Sequence, residues 1–320
     1  MGSSSEVTAV IVTYNRKQLL KRCLDALCSQ DVLPDMIVVI DNASTDGTDE
    51  LFSGHTEWQC AIDHIRLDGN RGGAGGFKEG LRYASRTDSK WYWIMDDDVV
   101  PKHDALSSLL EATSYLAEHQ IFPSFLASHV SGAKGEVMNV PNISDHLSQN
   151  GYPDWSEHLP AGLVRISSAT FVSLLISAQS VEQVGLPIAD YFLWGDDIEY
   201  TKRLTSYVGP AFVCGASQVT HMRKDARPID IAKESDVARI ANHRRRIRND
   251  LINAGYYGGY GYACRRIVHH TLDGVKTLLS KDAHKTTKAR TICGGILDYL
   301  ARRYNLEDLN RLDRRTMERH

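Results

Sequence analysis

The 320-residue sequence lacks the features that mark several classes of protein. Its six cysteines are scattered without a C-x-x-C pair, which argues against a disulfide framework or a zinc site and favours a reducing, cytoplasmic setting. It has no run of about 18 apolar residues, the length that a membrane-spanning helix needs. Its first residues include no apolar stretch typical of a secretory signal peptide. Nine prolines and 24 glycines are too few for a collagen-like or low-complexity chain.

Charge is distributed unevenly along the chain. Residues 221–320 carry 22 Lys and Arg against 12 Asp and Glu, a net charge of +10. Residues 1–220 carry 15 against 28, so the formal charge of -3 hides two parts of opposite sign. We therefore predict two domains, 1–226 and 227–320, with different partners. Because no nucleic-acid-reading motif accompanies the basic part, we expect no nucleic-acid partner.

Apolar β-branched runs alternate with segments of helical periodicity in the first predicted domain. The runs at Val7–Thr13, Met36–Asp41 and Trp91–Met95 predict strands, and the apolar residues of Lys17–Gln30 recur at helical spacing. This alternation is typical of a mostly parallel sheet covered by helices. Polar residues follow each of these strands. Because ligands of open α/β sheets bind outside the carboxyl ends of the strands, we expect these residues to share one binding edge.

The remaining stretches are less regular or helical. Residues 120–165 contain four prolines and predict a long irregular connection, which is often a binding loop. From about Ile229 the sequence is typical of helices, and the tyrosine-rich segment 256–262 is interpreted as a connection between two of them. Four apolar residues of this part recur at helical spacing: Val268, Leu272, Val275 and Leu279.

Three adjacent aspartates follow the strand at Trp91–Met95 directly. Alternation along an extended chain places Asp96 and Asp98 on one side. Two carboxylates on one side can hold a hard divalent cation, with phosphate oxygens completing its coordination. The alternative is a solvated acidic turn.

A glycine-rich stretch, Gly69–Phe77, precedes a predicted helix at Gly76–Ser85. Missing side chains let the backbone approach a ligand closely, and helix N-termini favour anions. The stretch matches neither the P-loop nor the G-x-G-x-x-G dinucleotide motif, so neither of those sites is supported. A purely structural turn is the alternative.

A second acidic pair, Asp196 and Asp197, lies about a hundred residues further along the chain. A carboxylate whose pKa is near the working pH can act as a general base, and the alternative is a cap of the helix that follows. His221 follows a predicted last strand that begins at Ala211. Beside an acidic metal site, its imidazole is a candidate ligand.

These motifs together resemble the family 2 glycosyltransferases of the GT-A fold. The resemblance covers residues 6–222 in order, with the motifs VTAVIVTYNR, VVIDNASTDGT, GNRGGAGGF, WIMDDDV, FLWGDDIEY and VTH. GGAGGF and WGDD are most similar to bacterial galactofuranosyltransferases and the related rhamnosyltransferases. The resemblance implies an α/β GT-A fold, Rossmann-like with a mostly parallel sheet flanked by helices, and a C-terminal helical appendage.

The resemblance also implies roles for individual residues. Asp96 and Asp98 match the D-x-D positions that bind a nucleotide diphosphate through Mn²⁺ or Mg²⁺, and His221 matches the third metal ligand. Asp197 matches the usual catalytic base and Asp196 a residue that positions hydroxyl groups, although the assignment between these neighbours stays open. The residues implied to contact the nucleotide sugar, with Asp41 holding the base, are Thr13, Asn15, Arg16, Asp41, Asn70, Gly72, Gly73, Asp96 and Asp97.

The implied activity is inverting, metal-dependent hexosyl transfer in cell-surface polysaccharide synthesis. The preferred donor is UDP-galactofuranose, with a dTDP-rhamnose rhamnosyltransferase as the alternative, and the acceptor is a glycan or lipid-linked oligosaccharide. A sugar nucleotidyltransferase is less favoured, because it needs a lysine-containing G-x-G loop where this chain has TYNR. A non-catalytic glycan-binding module is also less favoured.

The positive charge of the C-terminal helices predicts a binding partner for this part of the chain. An anionic lipid surface attracts each nearby Lys or Arg by about 1 kcal/mol, so we expect peripheral contact with the inner face of the plasma membrane. A homo-oligomer interface and a solvated helical face are the alternatives. The arginines concerned are Arg244–Arg246, Arg248, Arg265, Arg266, Arg302 and Arg303.

Overall fold

The computed structural model describes residues 6–53, 58–223 and 227–306. In these residues the strands are, in chain order, β1 (Val7–Thr13), β2 (Met36–Asp41), β3 (Ile62–Arg66), β4 (Trp91–Asp96), β5 (Val99–Pro101), β6 (Phe125–Gly132), β7 (Asn142–Ile143), β8 (Leu163–Ser168), β9 (Leu174–Ser177) and β10 (Ala211–His221). The α-helices are α1 (Lys17–Leu27), α2 (Gly72–Ala84), α3 (Ala105–Glu118), α4 (Ala178–Val184), α5 (Asp196–Tyr207), α6 (Val237–Leu279) and α7 (Lys285–Leu300). Among the described residues, none of the helices combines the length and hydrophobicity that a bilayer-spanning segment needs.

The chain divides into two compact units. The first comprises Met1–Pro187 and Tyr200–Ala226, and the second comprises Ile188–Glu199 and Arg227–His320. The predicted domain boundary falls at residues 224–226, which lie outside the described residues. The segment Ile188–Glu199, which the sequence analysis placed in the first domain, groups with the second unit.

The first unit is built on a mixed sheet with the strand order β3-β2-β1-β4-β9-β6-β10-β8-β7, and β5 pairs with β10. The four strands from β3 to β4 run parallel, as do β6 and β10. Strand β9 is antiparallel to both of its neighbours, β4 and β6. Every residue of β1 is buried, as expected for a parallel strand with both faces covered. The predicted α/β architecture is confirmed.

Helices cover both faces of β1. Ile11 belongs to a buried cluster that includes Leu20 and Leu24 of α1. On the other face, α2 lies so close that a Cβ atom on Gly76 would overlap the side chain of Val12. Helix α2 already begins at Gly72, so part of the predicted glycine-rich loop is helix, and Gly76 serves close helix–strand packing.

Strand β6 lies inside the stretch that the sequence analysis interpreted as an irregular connection. It pairs with β9 and β10 and is largely buried, so that expectation was wrong for this part. Its polar residues interrupt the apolar run, so the sequence does not show the pattern of a buried strand. The hydroxyl of Ser128, for example, lies 2.7 Å from the hydroxyl of Ser173 and 2.8 Å from that of Ser217, so a buried polar side chain is satisfied without water.

The second unit is dominated by α6 and α7. Ile247 and Leu251 of α6 share a buried cluster with Ile292 of α7. The backbone of Gly259 is non-helical, with φ of 76°, and interrupts α6 at this residue. Helix therefore continues on both sides of Gly259 through the tyrosine-rich segment that the sequence analysis interpreted as a connection.

Candidate active site

The carboxyl ends of β1, β2 and β4 lie side by side. The register pairs Thr13 with Asp41 and Val12 with Asp96. The polar residues that follow these strands therefore meet at one edge of the sheet, as the sequence predicted from the parallel arrangement.

Strand β5 brings His221 to the aspartates. Val99, directly after Asp98, pairs with His221 at the end of β10, and the next N–H, of Met222, donates to the carbonyl oxygen of Asp98 at 2.7 Å. Ligand atoms of Asp96, Asp98 and His221 consequently lie within 4.8 Å of one another. Residues 125 positions apart in the sequence thus form one cluster.

The cluster has the composition and spacing of a divalent-metal site. Ligand atoms about 2.0–2.5 Å from an ion lie up to about 4–5 Å apart, in line with the observed separation. The Oδ1 atom of Asp98 is 3.1 Å from Nε2 of His221, yet it is buried and has no hydrogen-bond partner among the described residues. A cation would satisfy this oxygen. Two carboxylates and an imidazole suit Mn²⁺, and the carboxylates also suit Mg²⁺.

Burial and neighbouring charges shift the pKa values of all three groups. Burial raises the pKa of Asp96, and the charge of Asp98 raises it further. Burial also opposes ionisation of Asp98, but the imidazole of His221 and the guanidinium of Arg16 outweigh it and lower its pKa. Burial lowers the pKa of His221, whereas the two aspartates raise it more, so its net shift is upward. Protons on Asp96 and His221 therefore compete with a cation.

We expect the affinity for Mn²⁺ to rise with pH between about pH 6 and 8, with release of protons on binding. As pH rises through the raised pKa values of Asp96 and His221, the cation displaces fewer protons and binds more tightly. Calorimetric titration in two buffers of different ionisation enthalpy measures the protons released. An affinity that is flat across this range would contradict the arrangement.

Asn139 orients the ring of His221. Its Oδ1 atom lies 2.9 Å from Nδ1 of His221, and its Nδ2 donates to the hydroxyl of Thr170 at 3.1 Å. Because the amide nitrogen is engaged by Thr170, the amide oxygen faces the ring, and Nδ1 carries the donated hydrogen. This leaves Nε2 for a metal, as second-shell partners of ligating histidines commonly do. The sequence analysis missed Asn139, whose only local feature is a left-handed backbone (φ 48°) that asparagine tolerates.

Removing the Asn139 side chain should weaken metal binding about 10- to 100-fold, because the ring of His221 loses its orientation. Asn139→Gly is the cleanest variant, since glycine adopts the left-handed backbone without strain. Mn²⁺ affinity, measured by electron paramagnetic resonance, is the readout. Asn139→Asp keeps an oxygen acceptor and should retain most of the affinity. Equal affinities for all three proteins would exclude an orienting role.

Asp97 and Arg16 form a polar group beside the metal cluster. Buried Asp97 accepts hydrogen bonds from the hydroxyl of Thr13 at 2.7 Å and from Nη1 of Arg16 at 3.1 Å. The same nitrogen lies 2.8 Å from Oδ2 of Asp98. Burial raises the pKa of Asp97 to about 6, against the lowering effect of Arg16. Asp97 and Thr13 are both predicted to contact a nucleotide sugar, and here they are hydrogen-bonded to each other. Asp97 also holds Arg16 beside Asp98.

The loops after β1 and β2 are tied together at the same edge. The N–H of Asn15 donates to the hydroxyl of Ser44 at 2.9 Å, and the N–H of Thr45 donates to Oδ1 of Asn15 at 2.7 Å. Asn15 has a left-handed backbone, with φ of 53°. The loop after β2 therefore fixes the position of Asn15, which the sequence analysis predicts to contact the nucleotide sugar.

Asp41 is fully buried at the end of β2. It accepts the N–H of Ser44 at 2.7 Å, and Oδ2 lies 3.5 Å from both Nε2 of His64 and Nη1 of Arg66. His64 and Arg66 on β3 are therefore additional members of this edge. The sequence analysis missed them because β3 is a weak strand without a recognisable motif.

The N-terminus of α2 is fixed to the loop after β2. The amide nitrogen of Asn42 donates to the carbonyl of Gly72 at 3.2 Å, and the N–H of Gly72 donates to Oδ1 of Asn70 at 2.8 Å. A Cβ atom on Gly73 would meet none of the described residues within 4 Å. Of these three predicted nucleotide contacts, Asn70 and Gly72 stabilise the start of the helix, while Gly73 borders space that no described residue fills.

Asp196 and Asp197 are the first residues of α5 and belong to the second unit. The turn before them is left-handed at three positions: Phe192 (φ 61°), Trp194 (φ 63°) and Gly195 (φ 94°). Such conformations are costly for Phe and Trp and persist only where the surroundings enforce them. The turn therefore needs an external support.

Two asparagines of α6 supply that support. The buried amide nitrogen of Asn249 donates to the carbonyl oxygens of Tyr191 at 3.0 Å, Leu193 at 3.3 Å and Trp194 at 2.8 Å. Asn253 donates to the carbonyl oxygen of the following Gly195 at 2.9 Å. The turn that carries the acidic pair is thus held from α6.

Both aspartates of the acidic pair have raised pKa values. Burial raises the pKa of Asp196, and the charge of Asp197 raises it further. Burial also raises the pKa of Asp197. A carboxylate with a raised pKa is a stronger base than an ordinary aspartate, which suits proton abstraction near neutral pH.

Asn249→Ala should lower the free energy of unfolding of the second unit by about 1–3 kcal/mol, because buried carbonyl groups lose their donor. Urea denaturation followed by far-ultraviolet circular dichroism measures the change. Asn242→Ala on the same helix removes, within the described part of the chain, only a long, exposed contact to Arg245 and is the matched control. Equal stability of the two variants would show that the turn is held by other contacts.

Comparison with known proteins points to one family. A family model described as glycosyl transferase family 2 matches residues 8–132. Galactofuranosyltransferase GlfT1 of Mycolicibacterium smegmatis is 31% identical over 230 residues, which cover 69% of this chain and 72% of that protein. The GlfT1 of Mycobacterium tuberculosis is 26% identical over 220 residues, 63% of this chain and 65% of its own length. The chain thus spans just under two thirds of the length of this second relative.

Solved structures share the fold at low sequence identity. The mannosyltransferase PcManGT from Pyrobaculum calidifontis, in complex with GDP-Man and Mn²⁺, has a TM-score of 0.53 and 17% identity, over 92% of this chain and 87% of that chain. GalNAc-T7 with UDP, GalNAc and Mn²⁺ has a TM-score of 0.55 and 15% identity, over 78% of this chain and 50% of that chain. These similarities confirm the predicted GT-A fold.

Proposed function

The chain belongs to glycosyl transferase family 2, and on this basis we propose that it transfers a hexosyl group from a nucleotide diphosphate sugar to an acceptor hydroxyl. The observation that carries the proposal is the cluster of Asp96, Asp98 and His221 at the carboxyl edge of the sheet. A divalent cation held there, Mn²⁺ or Mg²⁺, would neutralise negative charge on the departing diphosphate. Without a cation, the carboxylates would repel that group.

The protein's own residues have separate tasks in this mechanism. Arg16, held by Asp97 beside Asp98, is a cation available to a phosphate oxygen. Asp197 takes the proton from the acceptor hydroxyl, whose oxygen forms a bond to the anomeric carbon. The bond from that carbon to the diphosphate oxygen breaks on the opposite face. The configuration of the anomeric carbon is therefore inverted, and Asp196 positions hydroxyl groups.

We propose UDP-galactofuranose as the donor and a glycan or lipid-linked glycan of cell-surface polysaccharide synthesis as the acceptor. The similarity to galactofuranosyltransferase GlfT1 supports this choice. A dTDP-rhamnose donor is the alternative, because the GGAGGF and WGDD motifs resemble rhamnosyltransferases as well as galactofuranosyltransferases. Both donors would present a pyrimidine base to the edge formed by Asp41, His64 and Arg66.

A thermal-shift panel of nucleotide sugars with Mn²⁺ tests the donor. A ligand that binds the folded state stabilises it according to its concentration relative to its dissociation constant, so the true donor should raise Tm more than its bare nucleotide. UDP-galactopyranose, which differs from the preferred donor only in the form of the sugar ring, is the matched control. A larger shift with dTDP-rhamnose would select the alternative, and no shift with any nucleotide sugar would contradict the proposed function.

A further inference from the structure

The second half of α6 exposes a stripe of apolar side chains, here called the α6 stripe. Its members, each followed by its exposed fraction, are Val268 (58%), Leu272 (53%), Val275 (49%) and Leu279 (82%). They recur at intervals of four, three and four residues, so they lie along one face of the helix. The stripe extends for about 16 Å at the helical rise of about 1.5 Å per residue.

The α6 stripe is not the packing face of its helix. The buried positions of this part are Ala263, Gly274 and Thr277, and Gly274 lies against Ile292 of α7. These positions are on a different side of the helix from the stripe. The periodicity seen in the sequence therefore describes an apolar face that the second unit leaves open among its described residues.

Positive charge and tyrosine are concentrated in the part of the sequence that contains the α6 stripe. Residues 260–290 contain seven Lys and Arg but two Asp and no Glu. Arg266, Lys276 and Lys288 are paired with Asp250, Asp273 and Asp282. Tyr260 is 86% exposed at the start of this part, and Tyr side chains favour the boundary between water and an apolar phase. The other basic residues of this part are Arg265, Lys281, Lys285 and Arg290.

We propose that the α6 stripe docks the chain on an anionic lipid surface. A helix lying in the membrane interface buries an apolar face in the acyl boundary and keeps basic residues at the headgroups, which is the pattern observed here. Charge favours an anionic lipid surface over a second copy of the chain as the partner of the α6 stripe. Two copies would bring two positively charged surfaces together, whereas anionic headgroups attract Arg265 and Lys281.

Vesicle flotation tests the proposal on the full chain. The protein should float with vesicles of phosphatidylcholine and phosphatidylglycerol at low salt, and much less with phosphatidylcholine vesicles or at high salt, because salt screens the headgroup charge. The double variant Leu272→Ser, Leu279→Ser should bind the anionic vesicles at least about tenfold more weakly. Phe122→Ser, at a position 76% exposed in the first unit, is the matched control and should float like the original protein.

Three results would overturn the proposal. The first two are no flotation with anionic vesicles and undiminished flotation of the double variant. The third is sedimentation velocity that shows a dimer for the original protein and a monomer for the double variant. The last result would assign the α6 stripe to self-association. Circular dichroism checks that the double variant is folded, which is expected because both leucines are exposed. The test is independent of the proposed function. Asp197→Asn should float normally whether or not it transfers sugar.

Discussion

The Asp197→Asn variant is expected to lose sugar transfer by a factor of about 10²–10⁴ while still binding the nucleotide, because the amide cannot take a proton from the acceptor hydroxyl. Asparagine has nearly the same size, so the turn held by Asn249 and Asn253 should keep its structure. Turnover of the donor in the presence of acceptor measures the loss. Calorimetric titration with UDP and Mn²⁺ measures the binding that should remain.

Asp196→Asn is the matched control for this experiment, since it removes the neighbouring carboxylate from the same turn. A larger loss of transfer with Asp196→Asn than with Asp197→Asn would reverse the two roles. Unchanged turnover of Asp197→Asn would remove this residue from catalysis. In the original protein, the rate should fall as pH drops through the raised pKa of Asp197, because the protonated carboxyl group is no longer a base.

The second large effect is expected from Asp98→Ala, which should weaken nucleotide binding only when a divalent metal is present. Loss of an outer-shell partner typically costs about 10- to 100-fold in metal affinity, so loss of a direct ligand should cost at least as much. Titration of UDP with Mn²⁺ and with a chelator separates the two conditions. The original protein should show a large difference between them, and the variant should show little.

Asp88→Ala is a suitable control, since it removes the negative charge of an exposed aspartate in the loop before β4. It should bind UDP like the original protein in both conditions. If Asp98→Ala lost the same affinity in chelator as in Mn²⁺, the carboxylate would be acting on the nucleotide or on the fold, and metal bridging would be wrong.

Local pattern was sufficient to predict β1, β2 and β4, three of the strands that form the site. The runs at Val7–Thr13 and Met36–Asp41 are buried on both faces of a parallel sheet, so their apolar residues are continuous and easy to recognise. Alternation predicted that Asp96 and Asp98 would share a side, and the structure brings both to His221. His221 was a candidate ligand because it follows a predicted strand beside an acidic metal site, and the resemblance to the family matched it to the third metal ligand.

Residues that act through long-range contacts could not be predicted in this way. Asn139 contacts His221 from a loop 82 residues earlier, and Asn249 contacts Trp194 from a helix 55 residues later. Nothing in the sequence around either asparagine indicates its partner. Strand β6 was missed for a related reason, because the polar Ser128 is satisfied by serines from distant strands. Burial of a polar side chain depends on the tertiary structure that pairs it.

The position of a bound manganese ion tests the central claim most directly. Crystals grown with UDP and Mn²⁺ can be measured at the manganese absorption edge, where anomalous scattering locates the ion without reference to the protein. We expect one strong peak at bonding distance, about 2.0–2.5 Å, from ligand atoms of Asp96, Asp98 and His221, with the diphosphate of UDP on its open side. Bound UDP with the manganese peak elsewhere, or with no manganese at these three residues, would contradict the account.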